Sequence, residues 1–281
     1  WRAERERDMK NDIRPIGVFD SGLGGLTTVS ELRRTMPEEN IVYFGDTGRV
    51  PYGTRSRETV RRYARQDMRF LLSRGVKMIV AACNTASASL LPEDIEKLPV
   101  PFVEVLHPAV EVAAAATRNG RIGLIGTPAT IRSGAYERAM HLVNPKAQII
   151  ASPCALFVPL VENGFTAPDN EVTRLVAEQY LAPVRKSGAD TLILGCTHYP
   201  VLKPVISRIM GGGVTLVDSG QEAAHAAKRC LMQYDMCNLS RTAGSVEYFV
   251  SDSTETFAEN ARPIVGEPVA GRAVQIDIES V

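Results

Sequence analysis

VKMIVAACNTAS at 76–87 and ADTLILGCTHYP at 189–200 decide how this chain is read. Each is an apolar run of strand length, then a small residue, a cysteine, a polar pair and a helix-start signal. A second pair of stretches precedes them in the same order. IGVFDSG at 16–22 resembles IGLIGTP at 122–128, each a strand that ends in small polar residues. Asp20 precedes Cys83 by 63 residues and Gly126 precedes Cys196 by 70. Two matched pairs in one order predict two similarly wound halves; chance likeness between strands of an α/β protein is the alternative.

The surrounding sequence alternates short β-branched runs with amphipathic stretches. That is the pattern of a mostly parallel sheet with helices on both faces. Strands are predicted at Ile16–Phe19, Ile41–Phe44, Lys77–Ala81, Phe102–Glu104, Arg121–Ile125, Gln148–Ala151, Thr191–Leu194 and Thr215–Val217. Helices are predicted near 24–35, 56–73, 108–118, 131–142, 169–186 and 220–232. Beyond Arg241 the pattern weakens to a strand at Ser245–Val250, a helix at Thr254–Arg262 and a polar tail.

Composition narrows the function classes. Of 281 residues, 32 are basic and 32 acidic, and 44% are hydrophobic. The net charge of zero argues against a general nucleic-acid binder, which needs a basic surplus. No apolar run nears the roughly 18–20 residues of a membrane span. The charged start, WRAERERDMKND, is no signal peptide. Residues 1–15 are expected to be an extension, partly disordered or foreign to the native chain. Five cysteines, an odd number without an export signal, favour reduced thiols in the cytoplasm. No C-x-x-C spacing occurs, and four scattered histidines do not suggest a metal site.

Open α/β sheets bind ligands at the carboxyl ends of their strands, where Cys83 and Cys196 fall. A helix N-terminus beside each is expected to lower the thiol pKa. A free cysteine is often only a small core hydrophobe. Cys154, Cys230 and Cys237 are read that way; the matched flanks set Cys83 and Cys196 apart. Two thiols facing one cleft suit stereoinversion at a carbon acid, one removing a proton and the other delivering one to the opposite face. Ser21, Asn84, Thr85, Thr127 and Thr197 could orient an amino acid, helix N-termini could hold its carboxylates, and Asp20 could meet its ammonium or position a thiol.

GLGG at 22–25 follows a strand but lacks the third glycine of a dinucleotide loop, so it reads as a tight turn near the ligand. Arg57, Arg61, Arg65 and Arg69 recur at i, i+4 and read as a solvated helix face.

With these residues in view, the chain resembles the bacterial glutamate racemases of the cofactor-independent aspartate/glutamate racemase superfamily. The motifs are IGVFDSGLGGLTT (16–28), YFGDTGRVPYG (43–53), AACNTASA (81–88), IGLIGT (122–127), PLVENG (159–164), LGCTHYPVL (194–202) and LVDSG (216–220). The resemblance implies that Cys83 deprotonates D-glutamate and Cys196 deprotonates L-glutamate. It implies that Asp20 assists the first thiol and that His198 with Glu162 assists the second, with Asp46 a further acidic position. Substrate contacts carry over to Asp20, Ser21, Tyr52, Gly53, Asn84, Thr85, Thr127, Thr197 and His198. It further implies no cofactor and no metal, two α/β domains (16–106 plus 219–281, and 107–218) related by a pseudo-twofold with the cleft between them, and a homodimer that needs no activator. The D-glutamate product would feed peptidoglycan synthesis. A related racemase or decarboxylase, or a binding protein on this scaffold, are the alternatives; the intact cysteine pair argues against the last two.

Overall fold

The computed structural model describes residues 11–265 and 273–280, so most of the expected N-terminal extension and part of the tail lie outside the described residues. Among the described residues, ten strands form two sheets. They are β1 (Ile16–Asp20), β2 (Ile41–Gly45), β3 (Met78–Ala81), β4 (Phe102–Glu104), β5 (Arg121–Gly126), β6 (Gln148–Pro153), β7 (Thr191–Gly195), β8 (Thr215–Asp218), β9 (Val246–Val250) and β10 (Ala273–Gln275). The first sheet runs β10-β9-β2-β1-β3-β4 and the second β6-β5-β7-β8. Every pairing among these strands is parallel. The order β2-β1-β3-β4 repeats as β6-β5-β7-β8, so β1 corresponds to β5 and β3 to β7. The internal repeat in the sequence is thus a repeat of topology.

Both sheets are covered on both faces, which is why their strands read as nearly continuous apolar runs. In β1, Ile16 and Val18 pack under helices 26–35, 219–233 and 254–265, while Phe19 packs on the opposite side with Val42, Phe44 and helix 57–73. In the second sheet, Ile125, Leu192 and Leu194 face helices 157–162, 171–187 and 203–210. Ile122, Leu124 and Ile193 face helices 106–116 and 135–143.

The helices follow local signals. Ser56 caps helix 57–73 by accepting from Thr59 N at 3.3 Å, and Val60, Ala64, Met68 and Leu71 supply its buried face. Asn170 caps helix 171–187, which ends at Gly188 in the left-handed region (φ 71°).

Several expectations need correction. The helix predicted over 131–142 is two, Pro128–Ser133 and Ala135–Val143, because Gly134 turns left-handed between them (φ 62°). Helix Phe157–Glu162 was not predicted, and the helix start expected after Cys196 is a 3₁₀ turn, Tyr199–Leu202, that leads into helix Lys203–Met210; Pro159 and Pro204 each sit in a first turn, where a missing N–H costs nothing. Strand β10 lies in the stretch expected to be a polar tail. The arginine stripe is not simply solvated. Arg61 and Arg65 both pair with the buried Asp94 carboxylate, Arg61 also pairs with Glu93, and Arg57 Nε donates to Ser89 O. No helix among the described residues is long and apolar enough to cross a membrane.

Candidate active site

The carboxyl ends of β1, β3, β5 and β7 converge on one cavity of about 340 Å³. Of the predicted site residues, Ser21, Tyr52, Gly53, Cys83, Asn84, Thr85, Thr127, Glu162, Cys196, Thr197 and His198 line it. Gly22, Val50, Pro51, Thr54, Pro128, Ala155, Val158 and Pro159 complete the wall; Gly22, Val50, Pro51 and Pro159 fall within the motifs, and none of the eight was singled out as a site residue. A larger cavity of about 500 Å³ lies elsewhere, lined by residues including Leu90, Phe102, His107 and Arg229, with neither Cys83 nor Cys196 among them.

Cys83 occupies the N-cap of the short helix Asn84–Ser87, and its sulfur accepts from Ala86 N at 3.5 Å. Ser21 Oγ lies 3.7 Å from that sulfur. The expected lowering of the thiol pKa is overturned. Burial, reinforced by the nearby Asp20 charge, pushes it up to about 12, and the Ala86 and Ser21 contacts only partly offset this. A four-residue helix contributes too little dipole to outweigh loss of water.

Asp20 is fully buried at the end of β1 and does not line the cavity. Its Oδ2 accepts from Gly22 N at 2.9 Å, and Thr197 Oγ1 sits 3.4 Å from Oδ1. Burial raises its carboxyl above the usual carboxylate range, against the pull of His198 and the Gly22 amide.

Cys196 follows β7, as Cys83 follows β3. Its sulfur is 3.8 Å from His198 Nδ1, and His198 Nε2 is 3.0 Å from Glu162 Oε1. Burial pulls the imidazole down, yet the hydrogen bonds to Cys196 and Glu162 prevail and carry it up to about 10. The Thr197 turn is pinned to the first half of the chain: Thr27 Oγ1 donates to Thr197 O at 2.9 Å. The GLGG turn explains itself here. A Cβ on Gly24 would lie 2.2 Å from Thr197 Oγ1 and 2.5 Å from His198 Nδ1.

Thr127 caps helix Pro128–Ser133, and its hydroxyl lies 3.0 Å from both Thr85 Oγ1 and Thr130 Oγ1. Asp46 stands behind the wall rather than in it. Its carboxylate takes the Tyr52 hydroxyl, Arg49 Nε at 2.7 Å and Ser251 Oγ at 2.8 Å, so it holds Tyr52 in place. The other three cysteines sit apart from this cavity; Cys154 is buried in the core of the second sheet, and Cys230 and Cys237 are half-buried.

Two parallel sheets of matching order, each offering a cysteine from an equivalent strand end to one cavity, define a doubly wound α/β protein with a two-thiol site. The Asp/Glu/Hydantoin racemase family model matches residues 26–227. A glutamate racemase of Geobacter metallireducens is 45% identical over 267 residues, covering 95% of this chain and 98% of that one. The structure of glutamate racemase isoform RacE1 from Bacillus anthracis superposes with a TM-score of 0.90 at 35% identity, over 95% of this chain and 98% of that one. The glutamate racemase of Francisella tularensis, solved with D-glutamate, gives 0.88 at 35% identity, over 96% of this chain and all (100%) of that one. The chain belongs to the Asp/Glu/hydantoin racemase family.

Proposed function

We propose that this protein is a glutamate racemase, an isomerase that inverts the α-carbon of glutamate with two cysteines and no cofactor. The observation that carries this is the pair of thiols, Cys83 after β3 and Cys196 after β7, lining one cavity. The sulfur of one takes the α-proton from one face and the other thiol gives a proton to the opposite face. The residue that gave its proton is then the base for the reverse reaction. By family likeness Cys83 serves D-glutamate and Cys196 serves L-glutamate.

The two sides are equipped differently. Cys83 starts as a neutral thiol, because burial and Asp20 both oppose its ionisation. By family likeness Asp20 assists Cys83 from behind the cavity wall, and a ligand ammonium entering the site offsets the Asp20 charge that opposes ionisation of the thiol. On the other side the Cys196–His198–Glu162 chain supplies a cation beside the sulfur, where negative charge develops. Thr85, Thr127 and Asn84, with backbone N–H groups, hold the carboxylates without a basic side chain.

The same reading takes 16–106 plus 219–281 and 107–218 as the two domains, with the cleft between them. It takes the assembly as a homodimer working in the cytoplasm, without nucleic acid or membrane partners, and the D-glutamate formed as a supply for peptidoglycan. Incubation with L-glutamate in deuterium oxide tests the activity. D-glutamate carrying α-deuterium is expected, and it should vanish in Cys83→Ala and Cys196→Ala while persisting in Cys237→Ala. No α-exchange in the unaltered protein sinks the reading.

A further inference from the structure

Asn84 lines the cavity, but two residues outside the lining hold its carboxamide from behind. The Tyr136 hydroxyl donates to Asn84 Oδ1 at 2.5 Å, and Asn84 Nδ2 donates to Ser219 Oγ at 3.1 Å. All three side chains are buried. Ser219 Oγ in turn donates to the Leu194 backbone carbonyl at 2.9 Å. That last bond, taken ahead of donation to the neighbouring Tyr136 phenol that Ser219 also meets, sets the direction of the whole chain. A backbone carbonyl only accepts, and a serine hydroxyl has one hydrogen. With that hydrogen committed to Leu194 O, Ser219 Oγ can only accept, so the carboxamide atom facing it is nitrogen. Oδ1 then faces Tyr136, whose phenol burial keeps well above its ordinary pKa and therefore protonated. Of the two N–H donors on Asn84, Ser219 uses one. The carbonyl oxygen is already engaged, so Asn84 meets a ligand with its remaining N–H.

We infer that Tyr136 and Ser219 are positioning residues that lock the Asn84 carboxamide as a donor toward a carboxylate of the substrate. The inference rests on the glutamate reading above. It also ties the halves of the chain together at the ligand: Asn84 follows β3, Tyr136 sits on the helix after Gly134, and Ser219 follows β8. A locked donor can meet either oxygen of a carboxylate, but only one of the two groups of a carboxamide. An unlocked Asn84 can turn over and accept from an amide N–H, so releasing the lock blurs the difference between acid and amide.

The test compares the unaltered protein, Tyr136→Phe and Ser219→Ala. Racemisation of glutamate is measured, with inhibition by its two mono-amides, glutamine and isoglutamine, and circular dichroism confirms folding. The expected result is a KM about ten-fold higher, as for loss of a hydrogen bond to a charged group, with kcat changed by no more than about two-fold because ground and transition states lose it alike. The preference for glutamate over one mono-amide should fall by a factor similar to the rise in KM. A merely structural role would lower the active fraction and leave that preference intact, which overturns the inference. Unchanged KM and preference in both variants also overturns it, while turnover by the unaltered protein leaves the glutamate reading standing. If the unaltered protein neither racemises nor binds glutamate, both readings fall. Should Tyr136→Phe not fold, Ser219→Ala, which removes only the far end of the chain, decides.

Discussion

His198 Nε2 lies 3.0 Å from Glu162 Oε1, and this contact joins a helix end in the second half of the chain to the turn that follows Cys196. Glu162 keeps about a third of its side chain exposed (35%), whereas His198 is nearly enclosed (6%). The carboxylate therefore anchors the outer edge of the imidazole and leaves Nδ1 turned to the Cys196 sulfur. Replacing Glu162 by Gln keeps the shape and removes the charge. The imidazolium then loses a partner that raises it from burial's downward pull. The alkaline limb of kcat for L-glutamate should move to lower pH. His198→Asn should cost about 100-fold in kcat, within the range for a positioned acid–base group. Equal pH profiles for Glu162→Gln and the unaltered protein would show that the contact has no part in proton transfer.

Stability should fall on the alkaline side, for a reason of sign. His198 is raised in the folded state from 6.5 to about 10, so the stability it contributes is complete below about 6.5 and is lost as pH rises through 10. Cys83, raised from 9.0 to about 12, acts in the same direction at higher pH, since a buried thiolate is disfavoured. Thermal unfolding followed from pH 6 to pH 10, by order of the pKa span above, should show a falling Tm. In His198→Asn the fall between neutral pH and 9 should flatten. A Tm that rises over this interval would contradict the His198–Glu162 ion pair.

Gly24 is held by close approach rather than by turn geometry. A methyl group there would collide with Thr197 Oγ1 and His198 Nδ1, forcing apart the two strand-end turns that form the cavity. Gly24→Ala should lose most activity and destabilise by about 1–3 kcal/mol, the usual cost of overpacking. Gly212→Ala is the matched control, because nothing lies within 4 Å of its added carbon. Denaturant midpoints and turnover of the two variants make the comparison, and equal behaviour would mean that the turns can separate without penalty.

How much of this was legible in the sequence follows from the range of each signal. The strands were readable because both sheets are buried on both faces, which prints runs such as Leu192–Leu194 directly into the chain. The cysteines were readable because topology repeats, so Cys83 and Cys196 carry matched flanks. Glu162 and Tyr52 had no such flanks and rested on resemblance alone. Gly134 split a helix by its left-handed turn, which a helical period does not register. Tyr136 could not be found from sequence, because its hydroxyl meets Asn84 across 52 residues of chain. Ser219 had a signal that went unread: DSG at 218–220 repeats DSG at 20–22. The pKa of Cys83 was misjudged because helix starts are visible in sequence and burial is not.

Behind Tyr52 lies a last, separable element. Arg49 pairs with Asp46 at 2.7 Å and with Asp67 at 3.1 Å, and both carboxylates are wholly buried. It also reaches Glu279 at 3.0 Å, so the turn 278–280 docks behind Tyr52 through this guanidinium, a Gln66 bond to Glu279 at 3.4 Å and the buried Ile278. Burial and the Asp46 charge drive the Asp67 carboxyl well above the usual range, and Arg49 is the cation that opposes them. Arg49→Met keeps the bulk and strands two buried acids. Breaking a buried pair in this way typically costs about 3–5 kcal/mol. The loss should shrink as pH falls, because protonating Asp67 removes part of the unpaired charge that Arg49 had compensated, and a carboxyl raised in the folded state favours that state at low pH. KM should rise with kcat less affected, since the Tyr52 hydroxyl keeps its ring at the cavity through Asp46. Urea unfolding of Arg49→Met at pH 5 and at pH 8 decides the matter: a stability gap from the unaltered protein that is the same at both values would show that the stranded acids are not its cause.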